Sequence, residues 1–340
     1  MSAIQLLSNH DSSTTAQSCS ANGLLAATTL VHSSHSSINI PAIQQLAEEL
    51  AKAVRNRKRY TRTTSARIKP PQLDRFSYEF MRRLDDGAFG YVYLTRSLEA
   101  CKVIPLHLPN DSELQAEKRL LHVKNETRIH QNLSHKYIVD FHRVIQGQHN
   151  MYVLMEYCAG GTLNDRFKRI GKFSEQITAL YLLQLIQALK YLHLEQKVVH
   201  RDLKLSNIFL METQNEIKLG DFGLAIDGMQ CSSKKETSGT PNYLAPEIVQ
   251  RTGIYNFAVD IWAFGIILFI MLCGRAPFAG KNVEDTNKRI SENTLEFKQC
   301  ERERLSDNAT DLIEMILQRH PEDRPSWEQI EQHSFFVENR

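Results

Sequence analysis

The sequence predicts a two-lobed α+β fold in which a strand-rich lobe precedes a helix-rich lobe. Three short stretches, at 91–94, 100–104 and 151–155, are rich in β-branched and aromatic residues and are bounded by polar turns, as strands are. After Ser174, apolar residues recur at helical spacing as far as Leu192. The change of periodicity along the chain therefore indicates strands first and long helices afterwards.

Two further helices fit this plan. Residues 111–133 are charged and free of Pro and Gly, which is typical of a surface helix. The stretch 261–273 is strongly apolar, but it is shorter than the about 20 residues that a membrane-spanning helix needs. We therefore expect a helix buried in the domain and no membrane span.

Composition limits the classes of function. The chain has 340 residues, room for one large or two ordinary domains, and a formal net charge of +2, which argues against nucleic acid as a partner. The six cysteines are scattered and include no Cys-x-x-Cys pair, so we expect free thiols in a reducing compartment. The N-terminus lacks the basic start of a secretory signal peptide, so no secretion signal is predicted.

Residues 1–72 form a predicted arm that is rich in Ser and Thr and mostly disordered. A short helix is expected at 41–59, and a basic run without acidic residues follows at 55–69. This run has two functional interpretations, a nuclear import signal or a docking arm for an anionic partner, and it fits a solvated linker equally well. The main domain is predicted at 73–337, with a short tail at 338–340.

The most informative stretch is 199–207, Val-His-Arg-Asp-Leu-Lys-Leu-Ser-Asn, which is followed by Asp-Phe-Gly at 221–223. This spacing resembles the catalytic loop and the metal-binding turn of a protein kinase. The resemblance implies that Asp202 accepts or orients the proton of the substrate hydroxyl and that Lys204 offsets γ-phosphate charge. It also implies that Asn207 and Asp221 hold Mg²⁺ through oxygen ligands and that ATP is the phosphoryl donor.

The stretch 84–92 resembles the glycine-rich loop of the same family, in which glycines let backbone amides approach phosphate oxygens. Asp85 replaces the first glycine of the pattern, and Asp86 adds a second carboxylate. Taken alone, this fragment fits an ordinary hairpin turn better. The resemblance assigns five residues of this region to the ATP site: Leu84, Gly87, Gly90, Val92 and Ala100.

Lys102 resembles the strand lysine that holds the α- and β-phosphates. Its implied partner is Glu126 on the following helix, and Glu117 on the same helix is the alternative. By the same alignment, the adenine pocket includes Met155 as the gatekeeper, and Glu156, Cys158 and Phe209 as further contacts.

Several details resemble the polo-like kinases, including their centriole-duplication branch. They are Cys158, Phe209, and the sequences at 204–207 and 239–247. Polo-like kinases carry C-terminal polo boxes, whereas this sequence ends at Arg340, so the resemblance covers the catalytic domain alone. Either the polo boxes are lost or the chain is a short or divergent relative.

A second departure from the family pattern lies directly after Cys158, where the hinge between the two lobes ends in the family. Ala159, Gly160 and Gly161 stand there instead of the basic residues often found in the main branch. The family's preference for acidic residues near the target site is therefore in doubt.

The activation segment ends at 239–247, where Thr240 lies, and the family pattern pairs Glu247 with Arg324. In the family, Arg201 is neutralised by a phosphothreonine four residues before Thr240, and Glu236 occupies that position. We hypothesise that the Glu236 carboxylate partly replaces the phosphate, while Thr237 beside it could still be phosphorylated. The opposing interpretation is a mobile loop with an incidental acid.

The resemblance implies a serine/threonine protein kinase that acts on protein substrates, with a possible cell-cycle or centriole role. It implies an intracellular address, in the cytoplasm, the nucleus or the centrosome. The alternative from another class is a pseudokinase scaffold that keeps the fold and binds partners, because Asp85 and Asp86 add negative charge near the phosphates. A kinase of small molecules is disfavoured, since Lys204 and 239–243 resemble the platform on which protein substrates lie.

Overall fold

The computed structural model describes residues 79–87, 90–106, 112–228, 239–252 and 256–339. The arm and the basic run predicted within residues 1–72 lie outside these ranges, and so do Glu236 and Thr237. Among the described cysteines, Cys101, Cys158, Cys273 and Cys300 are free thiols.

The first lobe contains a five-stranded antiparallel sheet with the strand order β1-β2-β3-β5-β4. Its strands are β1 Phe80–Gly87, β2 Gly90–Thr95, β3 Glu99–Pro105, β4 Phe141–Gln146 and β5 Asn150–Glu156. Helix α1, Glu113–His130, connects β3 to β4 and matches the surface helix expected at 111–133. The three predicted strands are confirmed, whereas β1 and β4 were missed because most of their side chains are exposed or half-buried and neither strand has the continuous buried run of β3 and β5.

Alternation along β3 sorts its side chains between two faces of the sheet. Cys101 and Val103 pack on one face, and Ile104 packs on the other against Val123 of α1. Lys102, which lies between the first two residues, therefore shares the face that α1 covers.

The second lobe is helical and is built around one buried helix. Its helices are α2 Leu163–Ile170, α3 Glu175–Lys190, α4 Pro246–Val249, α5 Ala258–Cys273, α6 Val283–Glu292, α7 Gln299–Arg302, α8 Asp307–Ile316, α9 Trp327–Glu331 and α10 Ser334–Glu338. Helix α5 is buried over nearly all its length, as the apolar stretch 261–273 predicts. One described stretch, Glu175–Glu195, is long and apolar enough to cross a membrane, but 61% of it is buried inside the domain.

Two small sheets position the loops between the lobes. Strand β6, Gly161–Thr162, pairs with β8, Ile208–Leu210, which pairs with β9, Ile217–Leu219, and β7, Val198–Val199, pairs with β10, Ile226–Asp227. The loop after β7 leads to β8, and the turn after β9 leads to β10. Because β8 pairs with β9 and β7 with β10, both loops begin and end beside each other.

Candidate active site

A buried ion pair joins β3 to α1. Lys102 Nζ lies 2.6 Å from Glu126 Oε1, and only 8% and 6% of the two side chains are exposed. Glu117, the alternative partner, lies on the exposed side of the same helix. The lysine reaches α1 because the alternation of β3 turns it toward that helix. The structure therefore pairs Lys102 with Glu126.

Lys102 also contacts the turn at 221–223. Its Nζ lies 3.2 Å from Asp221 Oδ1, and 40% of the Asp221 side chain remains exposed. The Asp221 backbone has a φ of 63°, a left-handed conformation that costs a non-glycine residue about 1–2 kcal/mol. This conformation turns the carboxylate toward both the lysine and solvent.

Electrostatics keep Lys102 and Asp221 charged, whereas burial raises the pKa of Glu126. Burial alone would lower the pKa of Lys102, but the carboxylates of Glu126 and Asp221 outweigh burial and raise this pKa. Burial acts to raise the pKa of Asp221, and the Lys102 ammonium overcomes it and holds this pKa below its ordinary value. At neutral pH the site thus presents a cation suited to phosphate and a carboxylate suited to a metal ion.

Asp202 lies at the centre of a second cluster, in the loop between β7 and β8. Lys204 Nζ lies 2.6 Å from Asp202 Oδ2. The Thr240 hydroxyl donates to Asp202 Oδ1 at 2.9 Å and accepts from Lys204 Nζ at 3.2 Å. Asn207 Nδ2 donates to the main-chain oxygen of Asp202 at 2.9 Å. The Asp202 carboxylate is therefore fixed at both oxygens, and the amide oxygen of Asn207 is left as a hard donor for a cation.

Asp260 of α5 holds the backbone of the loop between β7 and β8 by hydrogen bonds, a role that sequence reasoning missed. Its Oδ2 accepts from the backbone N–H of His200 at 2.8 Å, and its Oδ1 accepts from that of Arg201 at 2.9 Å. The Arg201 backbone has a φ of 67°, a strained conformation that persists only where the surroundings hold it. Burial acts to raise the pKa of Asp260, but the hydrogen bonds from His193 and from the loop outweigh burial and hold this pKa below its ordinary value. The Asp260 carboxylate therefore stays ionised.

A cluster of tilted aromatic rings ties the same loop to α1. The ring of Phe222 lies 5.2 Å from His200 and 4.8 Å from His130, and His130 lies 5.6 Å from Phe141 of β4. His130 Nε2 is 2.7 Å from the carbonyl oxygen of Val139, and burial lowers the pKa of His130 to about 4. The ring cluster therefore connects the 221–223 turn to the helix that carries Glu126, and sequence reasoning did not assign His130 this place.

Comparison with known proteins identifies the family. The sequence profile of the protein kinase domain matches residues 78–336. This chain belongs to the protein kinase family. The predicted two-lobed kinase fold is thereby confirmed, with the strand-rich and helix-rich lobes in the expected order.

Curated relatives of this kinase domain carry serine/threonine kinase names. Probable serine/threonine-protein kinase CCRP1 of Zea mays is 37% identical over 76% of this chain and 41% of its own length. Serine/threonine-protein kinase PLK2 of Mus musculus is 35% identical over 75% of this chain and 36% of its own length. Serine/threonine-protein kinase polo of Drosophila melanogaster is 34% identical over 75% of this chain. The chain spans about two fifths of the length of the first and second of these relatives.

The stretch that resembles the kinase glycine-rich loop contains the hairpin between β1 and β2. Gly87 pairs with Gly90 at the turn, and Val92 pairs with Lys102 across β2 and β3. A Cβ on Gly90 would lie 2.2 Å from the carbonyl oxygen of Val103. Close packing of β2 against β3 thus requires this glycine, in addition to any role toward phosphate.

The residues assigned to the adenine pocket come from both lobes. Ala100 pairs with Met155 across β3 and β5, and Leu84 lies on β1. Cys158 follows β5 and is buried, which raises the pKa of its thiol to about 12. Phe209 on β8 lies against Gly220, where a Cβ would be 3.0 Å from the ring. The small residue before Asp221 therefore leaves room for the phenyl ring.

Glu156, a residue that the resemblance assigns to the adenine pocket, has a carboxylate that contacts other protein groups. Its Oε2 lies 2.8 Å from Lys218 Nζ and accepts from the backbone N–H of Asp140 at 3.2 Å. The Glu156 carboxylate is therefore already engaged by Lys218 and by the main chain of Asp140.

The end of the activation segment is held by a buried ion pair. Arg324 Nη1 and Nη2 donate to the two carboxylate oxygens of Glu247, each at 2.7 Å. Both residues are buried, and the bidentate geometry compensates each charge. The predicted pairing of Glu247 with Arg324 is confirmed.

Proposed function

We propose that this chain is an active serine/threonine protein kinase, which transfers the γ-phosphoryl group of ATP to a Ser or Thr hydroxyl of a protein. The observation that carries the proposal is the cluster at Asp202, whose two carboxylate oxygens are bonded by Lys204 and Thr240. It lies on the loop adjoining the turn that presents Asp221 to Lys102.

Each residue has a role in this reaction. The substrate hydroxyl oxygen forms a bond to the γ-phosphorus, the bond to the β–γ bridging oxygen breaks, and ADP leaves. Asp202 receives the hydroxyl proton, and Lys204 offsets the charge on the transferred group. Lys102, held by Glu126, binds the α- and β-phosphates.

The donor set fits magnesium. The Asp221 carboxylate and the Asn207 amide oxygen are hard oxygen ligands, which Mg²⁺ prefers. Mg²⁺ bound through them supplies neutralisation of phosphate charge during transfer. The Asn207 amide is oriented for this role because its nitrogen already donates to Asp202.

The pseudokinase alternative is weakened, because the residues that phosphoryl transfer needs are all retained and are engaged with one another. A direct test incubates the full chain with Mg²⁺, ATP and a degenerate Ser/Thr peptide library, beside Asp202→Asn. We expect transfer by the wild type and a loss of about 10²-fold or more in the variant. Both proteins should gain thermal stability from Mg²⁺-ATP. A folded wild type that is stabilised by neither nucleotide nor metal and transfers no phosphate would refute the proposal.

We further propose a polo-like substrate range and a cell-cycle role at an intracellular site, in the cytoplasm, the nucleus or the centrosome. Relatives named PLK2, polo and a probable cell cycle kinase CDC5 homolog, the last from Encephalitozoon cuniculi, support this assignment. Phosphopeptide profiling of the purified chain, with acidic residues varied around the target Ser or Thr, tests the substrate range.

Two proposals concern regions beyond the described residues. The basic run 55–69 serves an import receptor or an anionic docking partner, and comparing the full chain with a 70–340 fragment tests this role. Glu236 supplies negative charge to Arg201 in place of a phosphothreonine, which would give activity without phosphorylation.

A further inference from the structure

A chain of buried hydrogen bonds runs from the C-terminal region to the catalytic loop. Trp327 Nε1 of α9 donates to His193 Nδ1 at 2.9 Å, and His193 Nε2 lies 2.9 Å from Asp260 Oδ2. The three residues are 3%, 2% and 1% exposed. Solvent therefore does not compete for these bonds, and each group depends on its protein partner.

The two neighbours of His193 require the same imidazole nitrogen to carry the proton. An indole N–H can only donate, so His193 Nδ1 must accept. The ring proton then lies on Nε2, where it is donated to the carboxylate of Asp260. The opposite tautomer would set two N–H groups against each other and present a lone pair to a carboxylate, at a buried position where unmatched polar groups are costly.

The carboxylate oriented in this way holds the catalytic loop. Asp260 also accepts the backbone N–H groups of His200 and Arg201, and Asp202 follows directly in the chain. The left-handed backbone of Arg201 requires such support. A rotation of the Asp260 carboxylate would therefore displace the loop that aims Asp202 at the substrate hydroxyl.

We propose that Trp327 is a positioning residue for phosphoryl transfer: its N–H holds the His193 ring through Nδ1, and the ring orients Asp260 and thereby the catalytic loop. This inference rests on the proposed kinase activity. Trp327 touches neither nucleotide nor substrate in this scheme, and its effect on the reaction passes through two side chains.

The chain offers a matched control for the packing role of a buried indole. The Trp327 ring also packs against Phe264, with centroids 5.5 Å apart. Trp262 is fully buried as well and stacks on Phe278 at 5.4 Å. Its Nε1 has no hydrogen-bond partner among the described residues. Replacement of either tryptophan by Phe shrinks a buried ring, but only Trp327→Phe removes a hydrogen bond.

The experiment compares kcat, KM for ATP and the free energy of unfolding for the wild type, Trp327→Phe and Trp262→Phe. We expect both variants to lose stability, and only Trp327→Phe to lose kcat, by about tenfold, with KM for ATP changed less than about twofold. Equal losses of kcat in the two variants would overturn the role of Trp327. An inactive wild type would instead overturn the proposed function.

A second readout does not depend on activity, and its wild-type result does not depend on whether Trp327→Phe folds. Nitrogen-15 spectra of the His side chains, assigned with His193→Gln, report which ring nitrogen of His193 is protonated. We expect the Nε2–H form in the wild type, and in Trp327→Phe a shifted Nδ1 signal, because this nitrogen has lost its hydrogen-bond donor. A wild type with the proton on Nδ1 would overturn the inference, even if Trp327→Phe fails to fold.

Discussion

Lys102 Nζ lies 2.6 Å from Glu126 Oε1, although the two residues belong to different elements of the first lobe. Both side chains are nearly excluded from solvent, so each charge depends on the other for compensation. The pair therefore fixes α1 against the sheet, and it aims the lysine at Asp221. We expect activity and stability both to depend on this contact, but to respond differently to substitution.

Lys102→Met tests this contact first. The variant removes the cation that holds the phosphates, so we expect phosphoryl transfer to fall by about 10²–10³-fold. It also leaves Glu126 buried beside Asp221 without a cation, which should cost roughly 3–5 kcal/mol of unfolding free energy. Kinase assays and urea unfolding at pH 7 measure the two effects.

The double variant Lys102→Met/Glu126→Leu separates them. Replacing both charges by apolar groups removes the uncompensated carboxylate, so most of the stability should return while activity stays lost. If the single variant proves as stable as the wild type, the Lys102–Glu126 pair has no part in holding α1.

The motifs that carry chemistry were readable from the sequence because they are local. Lys204 and Asn207 lie within a few residues of Asp202, and Asp221 follows in the turn after β9. The types and spacing of these residues suffice to group them. The pairing of Lys102 with Glu126 was also predicted, by alignment with the family pattern, where the residues alone left Glu117 open.

The supports of the site were not readable in the same way. Asp260, His193 and Trp327 are far apart in sequence, and each has a common structural explanation on its own. His130 appears in the sequence as one polar residue near the end of a charged helix, and only the packing of α1 brings it against Phe222. Long-range contacts of this kind follow from tertiary packing, which no local pattern specifies.

The buried His130 gives the domain an acid-sensitive stability. Its pKa is lowered from 6.5 to about 4 in the folded protein, so the unfolded chain binds a proton that the folded chain does not in the window between these values. Stability from this residue is complete above pH 6.5 and is lost as pH falls toward 4. The loss should approach roughly 3 kcal/mol.

Urea unfolding of the wild type and His130→Leu between pH 7 and pH 4 isolates this contribution. The variant lacks the bond to the Val139 carbonyl, which adds a cost that does not vary with pH. The difference in unfolding free energy between the two proteins should therefore change in favour of the variant as the pH falls. Parallel curves across this window would contradict the proposed burial of a neutral His130.

The last prediction concerns the control of Arg201, the residue before Asp202. In the absence of phosphate, a carboxylate at Glu236 would supply one negative charge and two acceptor oxygens, less than a phosphate provides. We expect phosphatase-treated wild type to remain active, and Glu236→Gln and Glu236→Ala to lose about tenfold or more in kcat, because a charge-assisted pair is broken.

Thr237→Ala, the neighbouring control, should keep its activity. The difference between wild type and Glu236→Gln should shrink in high salt, since salt screens charge–charge attraction. Unchanged activity in phosphatase-treated Glu236→Ala would remove the hypothesis, and loss of activity in Thr237→Ala together with phosphatase-treated wild type would assign control to phosphorylation of Thr237.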